Sequence, residues 1–346
     1  MSGGVDSSVS AALLQEQGFD VTGVFIKVWQ PDFLPCNWKQ ERLDAMRVCA
    51  RLDIPFLFLD LEKEYKQEVI DYMIAEYRAG RTPNPDVMCN KYVKFGAFFR
   101  IALERGADFV ATGHYARVEK TDDGKFRMLA GKDANKDQSY FLWTLGQKEL
   151  SRTLFPVGNS EKPEVRELAR KFRLPTAEKK DSQGLCFVGK VDMQEFLSHF
   201  IEKKEGNVLN REGEIIGKHP GAFFFTIGER HGFTIEKKTP DDTPYYAIGK
   251  NIENNTITVA FRDEKYAEHS AREIFLEKEN WISGEFPAAK KYRARARYRA
   301  PLQECTLEKT SAGTKAIFTE SQRTLTPGQS LVVYDGEVCV GGGIIK

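Results

Sequence analysis

The string Ser2-Gly3-Gly4-Val5-Asp6-Ser7-Ser8 runs directly into an apolar-periodic stretch, Val9, Ala12 and Leu13. Glycines at 3 and 4 let the backbone turn with its N–H groups inward, and Ser7 and Ser8 put hydroxyls at the start of a helix whose dipole favours an anion. The string reads as a phosphate cradle; a glycine turn that only caps a helix is the plainer alternative for Gly-Gly taken alone. No lysine follows in the Gly-Lys-Ser/Thr arrangement, so the point charge that grips a γ-phosphate is missing, and cleavage between the α- and β-phosphates is favoured. Two of the six cysteines (36, 49, 89, 186, 305, 339) have surroundings suited to chemistry. Cys89 follows a proline-fixed loop with Asp86 three residues earlier, and Cys186 follows Gly184 among hydroxyl, amide and carboxylate neighbours. Their distance in sequence excludes a local Cys-x-x-Cys motif, so only the fold can bring them together; a buried apolar thiol is the alternative for each. No Cys/His cluster has zinc spacing.

The elements around these residues alternate. Residues 9–17 read as a helix ended by Gly18, and 21–28 as a buried strand. A loop with Pro31 and Pro35 leads to a helix carrying Leu43, Met46 and Ala50 on one face, then a strand over 54–59. Tyr65, Val69, Tyr72, Met73 and Glu76 give helical spacing over 62–79, with Gly80 as the stop. Pro83 and Pro85 exclude regular structure ahead of a helix running through Phe98, Ile101 and Ala102, so Asp86 and Cys89 sit where a rigid loop enters a helix. A short strand over 108–112 closes on Gly113-His114 at its carboxyl end, where ligands collect in parallel sheets. The alternation predicts an α/β domain with a doubly wound parallel sheet. In that fold a buried strand precedes the phosphate loop, yet here the loop opens at Met1; a start set too far downstream, or a shortened chain, is the expectation. Helical signals resume over 160–201, with Asp192 and Glu195 as a capping box. Strand-like runs at 222–227 and 256–261 and turns at 240–244 indicate a small β-rich domain. Runs at 292–299, 315–318, 331–334 and 338–345 suggest a closed or nearly closed barrel. The expected division is 1–203, 204–268 and 269–346.

With 51 Lys and Arg against 50 Asp and Glu, the 346-residue chain carries a net charge of +1, so any nucleic-acid contact must come from a local patch. The absence of an 18-residue apolar run and of a basic-then-apolar leader supports neither a membrane span nor secretion, and the cytoplasm is the expected compartment. The patch is at hand. Lys291, Arg293, Arg295, Arg297 and Arg299 alternate with Tyr292, Ala294, Ala296, Tyr298 and Ala300. On a strand this places five cations on one face, suited to phosphates or, alternatively, to protecting a solvated edge strand.

Ser2 to Ser7 matches the signature of the PP-loop ATP pyrophosphatases, enzymes that move AMP onto a carbonyl oxygen and release pyrophosphate. Taken with Thr82-Pro83-Asn84-Pro85-Asp86-Val87-Met88-Cys89-Asn90-Lys91, Ala111-Thr112-Gly113-His114-Tyr115-Ala116-Arg117, Lys136-Asp137-Gln138-Ser139-Tyr140-Phe141-Leu142, and the segment Asp181-Ser182-Gln183-Gly184-Leu185-Cys186-Phe187, the chain resembles the tRNA-specific 2-thiouridylases. Phe225-Thr226-Ile227-Gly228-Glu229-Arg230 and Thr326-Pro327-Gly328-Gln329 extend the likeness over nearly the whole chain, with Glu229 where the family more often has Gln.

The resemblance implies sulfur-for-oxygen exchange at C2 of the wobble uridine of tRNA, with ATP adenylating the oxygen and Mg²⁺ screening the phosphates. By the same likeness Ser2, Gly3, Gly4, Val5, Asp6, Ser7, Ile26 and Gly113 bind ATP, with Asp6 a plausible metal ligand or orienter. Cys186 carries a persulfide received from a cysteine desulfurase or sulfur-relay protein. Cys89 resolves the product and leaves a transient Cys89–Cys186 disulfide. Asn84, Pro85 and Asp86 contact the target base, Asp86 as general base or as holder of the uracil edge; capping the following helix is its alternative. His114, Lys136, Asp137, Gln138, Arg297, Tyr298 and Gln329 touch tRNA at the anticodon stem-loop, on a base taken out of the stack. A monomer is the default. Two other readings compete: another PP-loop ATP-dependent ligase, which needs neither cysteine, and a non-catalytic tRNA-binding protein, which releases no pyrophosphate.

Overall fold

The computed structural model describes the chain except residues 35–37, 182–191, 237–242, 262–269, 312 and 324. Cys36, Cys186 and all but the first residue of the 181–187 motif lie outside the described residues.

The first domain follows the β/α alternation. Helix α1 (Val5–Glu16) starts on the phosphate loop, and Gly18 leaves it at φ +87°. Strand β1 (Gly23–Lys27) pairs in parallel with β2 (Phe56–Asp60), and helix α2 (Trp38–Leu52) is the crossover between them. The second parallel pair is β3 (Val110–Ala111) with Thr153–Leu154. The parallel strands are thus present as two separate pairs. The other edges of β1 and β3 line one cavity of about 1390 Å³, which also reaches the phosphate loop. At its end the Met1 ammonium donates to Val24 O at 2.6 Å.

Two helices carry π-turns. Glu62–Tyr65, Lys66–Asp71 and Tyr72–Arg78 follow one another, the middle segment π-helical, with Tyr65, Val69 and Met73 fully buried. Pro85–Met88 opens a second helix whose Cys89–Phe98 segment is also π-helical before Phe99–Glu104. Such turns recur at functional sites. On α2 the buried face is Ala45, Val48 and Cys49, whereas Leu43 and Met46 are exposed, so the expected apolar face is corrected.

The middle domain is a five-stranded sheet running between Gly206 and Phe261. Residues Ala222–Phe224, expected as strand, form a 3₁₀ turn because Gly221 enters at φ +146° and Phe224 N donates back to Gly221 O. The last domain is a closed barrel. Ser270–Trp281 pairs with both Gly313–Arg323 and Val338–Ile345, and Gln303–Thr310, Tyr292–Arg295 and Ser330–Asp335 complete the ring. A hairpin of the first domain, Ala116–Lys120 and Phe126–Ala130, extends the barrel sheet by pairing Leu129 with Val338 and Met128 with Cys339. Full closure removes free edges and makes a rigid platform.

The five-cation strand face is corrected too. The strand ends at Arg295, the chain turns through 296–299, and Arg299 sits at φ +61°. Arg293 and Arg299 are exposed, but Arg295 points inward.

Candidate active site

Gly3 has φ +70°, and a Cβ there would lie 2.4 Å from Glu41 O, so only glycine fits the turn. Gly4 caps α1 in extended geometry without a side-chain cap. Ser2 Oγ and Ser7 Oγ are 3.1 Å apart, and Ser7 N and Gly113 are in close contact, since a Cβ on Gly113 would stand 2.7 Å from that nitrogen. The end of β3 is thereby pressed against the helix N-terminus. Ile26 at the end of β1 lines the same cavity as Met1, Ser2, Gly4, Ser7 and Gly113. The expected ATP residues are therefore gathered around one helix N-terminus that carries partial positive charge.

Two lysines that the sequence reading missed surround the loop. Lys162 Nζ donates to Asp6 Oδ1 at 2.6 Å and lies 3.0 Å from Asp181 Oδ1; its side chain is 11% exposed. Tyr115 Oη donates to the same Asp6 oxygen at 2.9 Å. Lys179 Nζ donates to Gly3 O at 3.0 Å and to Asp44 at 2.8 Å. A signal for Lys162 exists: it opens the helix Lys162–Lys171, where the dipole disfavours a cation, and Arg166 lies four residues on, on the same face. Asp181 accepts from Lys162's neighbours Lys136 (2.6 Å) and Arg166 (2.7 Å). Burial alone would raise the Asp181 pKa, but hydrogen bonds and charge from Lys136 and Lys162 overcome it and bring it to about 2.

The loop ahead of Cys89 has its own logic. Asn84 caps the helix, its side chain accepting from Val87 N at 3.3 Å, with Pro85 in the first turn. The cap is thus Asn84 and not Asp86, which leaves the Asp86 carboxylate half-buried on the cavity wall with Asn90, Lys94 and His114. Cys89 is fully buried. Asn90 Nδ2 donates to Phe141 O at 3.1 Å. Burial raises the thiols of Cys305, to about 12, and Cys339, which sets both apart from any reactive role.

His114 is 7% exposed. Its Nε2 is 3.4 Å from Lys94 Nζ and its Nδ1 2.8 Å from Thr112 Oγ1. An ammonium has only donors, so Nε2 accepts and Nδ1 carries the proton, donating to Thr112. Burial, and then Lys94, hold the ring pKa well below its usual value, so His114 is neutral and is a support for Lys94 more than an acid.

Several expected RNA contacts are engaged within the protein. Asp137 is buried: one oxygen accepts from Gly131 N and Ser139 N, the other from Arg295 at 2.8 Å. Its carboxylate holds the 131–139 turn and the barrel together. Gln138 Oε1 accepts from Tyr115 N, and Lys136 pairs with Asp181. Arg297 donates to Ile227 O and Thr326 Oγ1, and Gln329 Nε2 donates to Thr82 O and Pro83 O. Tyr298 packs on Phe141 with ring centroids 4.5 Å apart, beneath the Arg299 guanidinium, and all three line the cavity.

The three domains each match a family model: tRNA methyl transferase HUP domain over 1–190, tRNA methyl transferase PRC-barrel domain over 194–261, and aminomethyltransferase beta-barrel domain over 271–345. The tRNA-specific 2-thiouridylase MnmA of Pseudomonas paraeruginosa is 45% identical over 350 residues, covering all of this chain and 93% of that protein. The proteins of the same description from Streptococcus thermophilus (45%) and Stutzerimonas stutzeri (46%) align with the same coverage. The chain belongs to the tRNA-specific 2-thiouridylase family. That membership is shared along the whole chain, and the family's loop signature falls on residues 2–7, beside the cavity that Asp86 and Gly113 also line. Among the described residues no helix is long and apolar enough to cross a membrane.

Proposed function

We propose that this chain is an ATP-dependent tRNA-uridine 2-sulfurtransferase acting on the wobble uridine of the anticodon stem-loop. The observation that carries the reading is the single cavity on which the phosphate loop, Ile26, Gly113 and Asp86 all open, in a chain of this family. Its β- and γ-phosphates rest on the N–H groups of 3–7, with Lys162 and Lys179 countering their charge. The uracil O2 attacks the α-phosphorus, pyrophosphate leaves, and C2 becomes an electrophile with AMP as its leaving group.

Asp6 is the loop carboxylate that would hold Mg²⁺, an ion that takes one or two protein carboxylates beside substrate phosphates and would supply screening of their charge. The Asn84-Pro85-Asp86 loop holds the base, Asp86 meeting the uracil edge. The terminal sulfur of a Cys186 persulfide, supplied by a cysteine desulfurase or relay protein, attacks C2 and AMP departs. The Cys89 thiolate then attacks the Cys186 sulfur, freeing the thiocarbonyl and leaving a Cys89–Cys186 disulfide that a thiol reductant opens. The working unit is a monomer, in the cytoplasm where tRNA and ATP meet.

The test is single turnover with a stem-loop bearing wobble uridine, ATP, Mg²⁺ and enzyme carrying ³⁵S persulfide. Label in 2-thiouridine, lost in Cys186→Ser, is expected. Thiolation by Cys186→Ser equal to that of the parent chain, or none by the parent chain, contradicts the reading.

A further inference from the structure

Prolines at 83 and 85 take two backbone donors from the base-holding loop, and Thr82 and Pro83 belong to no helix or strand. Its backbone is instead satisfied from the barrel. Thr82 N donates to Pro327 O at 2.8 Å. The Gln329 amide gives both its N–H bonds to this loop, 2.9 Å to Thr82 O and 3.1 Å to Pro83 O. Between them Gly328, at φ +92°, packs so closely that a Cβ would stand 2.9–3.0 Å from Thr82 O, C and N.

Residues 326–329 are themselves anchored to the last barrel strand, by Gly328 N to Ile345 O and Ile345 N to Gln329 O. The middle domain joins at the same point: Thr82 Oγ1 is 3.2 Å from Thr226 Oγ1, and Arg297 bridges Thr326 Oγ1 and Ile227 O. On the far side Tyr140 Oη donates to Ser330 O at 2.9 Å. Three domains therefore converge on Thr82 and Pro83, immediately ahead of Asn84.

We propose that the 326–329 loop of the barrel is a positioning element for the Asn84-Pro85-Asp86 loop, with Gln329 the residue through which the barrel acts on the target base. This rests on the functional reading above. Gln329 then matters by fixing the backbone that carries Asp86, because its donors are spent on two carbonyls before RNA arrives. A misplacement of about 1 Å at a reacting centre is enough to lower a rate roughly 100-fold.

Two variants of the full chain test this by different routes. Gln329→Ala removes both hydrogen bonds; Gly328→Ala keeps Gln329 but drives a Cβ into Thr82. For each, single-turnover 2-thiouridine formation at saturating stem-loop, stem-loop Kd by filter binding, and the unfolding midpoint are measured against the parent. Expected for both is a fall of about 10–100-fold in the saturating rate, with Kd nearly unchanged and the midpoint lowered by only a few degrees. Gln329→Lys, which keeps donors for the two carbonyls, recovers most of the rate. A weakened Kd with an unchanged saturating rate makes Gln329 an RNA contact and overturns the inference. So does a rate loss that merely follows a collapsed midpoint in both variants. An inactive parent chain would instead indict the functional reading.

Discussion

Replacing Lys162 by Met takes away the one ammonium that touches both Asp6 and Asp181. The two carboxylate oxygens lie 2.6 and 3.0 Å from Nζ, so they stand no more than about 5.6 Å apart, where like charges at an effective dielectric of about 20 repel by at least about 3 kcal/mol. Asp181 keeps Lys136 and Arg166, whereas Asp6 keeps the neutral Tyr115 hydroxyl, so the unbalanced charge falls on the phosphate loop. A nucleotide then meets a net negative loop without the adjacent cation. On the order of 2–3 kcal/mol of ATP affinity should go, a factor of roughly 30–150 in Kd. Calorimetric titration of ATP into parent and Lys162→Met reads this directly, and tRNA-dependent pyrophosphate release should fall in step. Lys162→Arg should restore only part, since the guanidinium does not place a compact charge at that point. ATP binding within about threefold of the parent, in a variant with the same unfolding midpoint, would refute the role of Lys162.

Other perturbations follow from the same geometry. Asp137→Ala strands Arg295, 11% exposed, beside the Tyr334 ring, and should destabilise the protein by about 3–5 kcal/mol in denaturant unfolding. A loss under 1 kcal/mol would mean the pair is not buried as described. Asp181 has a folded pKa near 2, below its unfolded value, so its contribution is fully present above about pH 4 and is lost as pH falls through about 2. Allowing for its partial exposure, about 1–2 kcal/mol should disappear over that window, and Asp181→Asn should be flatter there. Two-bond ¹⁵N spectra of His114 should show the Nδ1–H tautomer with no titration between about pH 6 and 8; a titration near its ordinary value would contradict its burial beside Lys94.

Much of this was legible in the sequence because the signals are local. Gly18 and Gly80 end helices where expected, Asp192 caps its helix by accepting from Glu195 N, and the strand 338–345 spans the expected residues. The glycine loop could be read as an anion site from composition and order alone. Failures came where a distant partner decides. On α2 the larger Leu43 and Met46 give the more conspicuous stripe, yet the sheet takes the smaller Ala45, Val48 and Cys49. The alternating cations at 291–299 look alike, but Arg295 is captured by Asp137, 158 residues away. Lys162 reaches Asp6 across 156 residues, so only its unfavourable place in a first helical turn hinted at it. Which of Asn84 and Asp86 caps the helix is a matter of a two-residue shift in register, and Pro85 in the first turn sets it.

The most direct test of the central claim is product stoichiometry in one turnover. Parent chain, ATP, Mg²⁺, persulfide donor and an unmodified stem-loop with wobble uridine are quenched and analysed together for nucleotides and nucleosides. The account predicts AMP, pyrophosphate and 2-thiouridine in equal amounts, all three absent when the wobble base is replaced. ADP and phosphate as products, or AMP formed equally without the stem-loop, would contradict it.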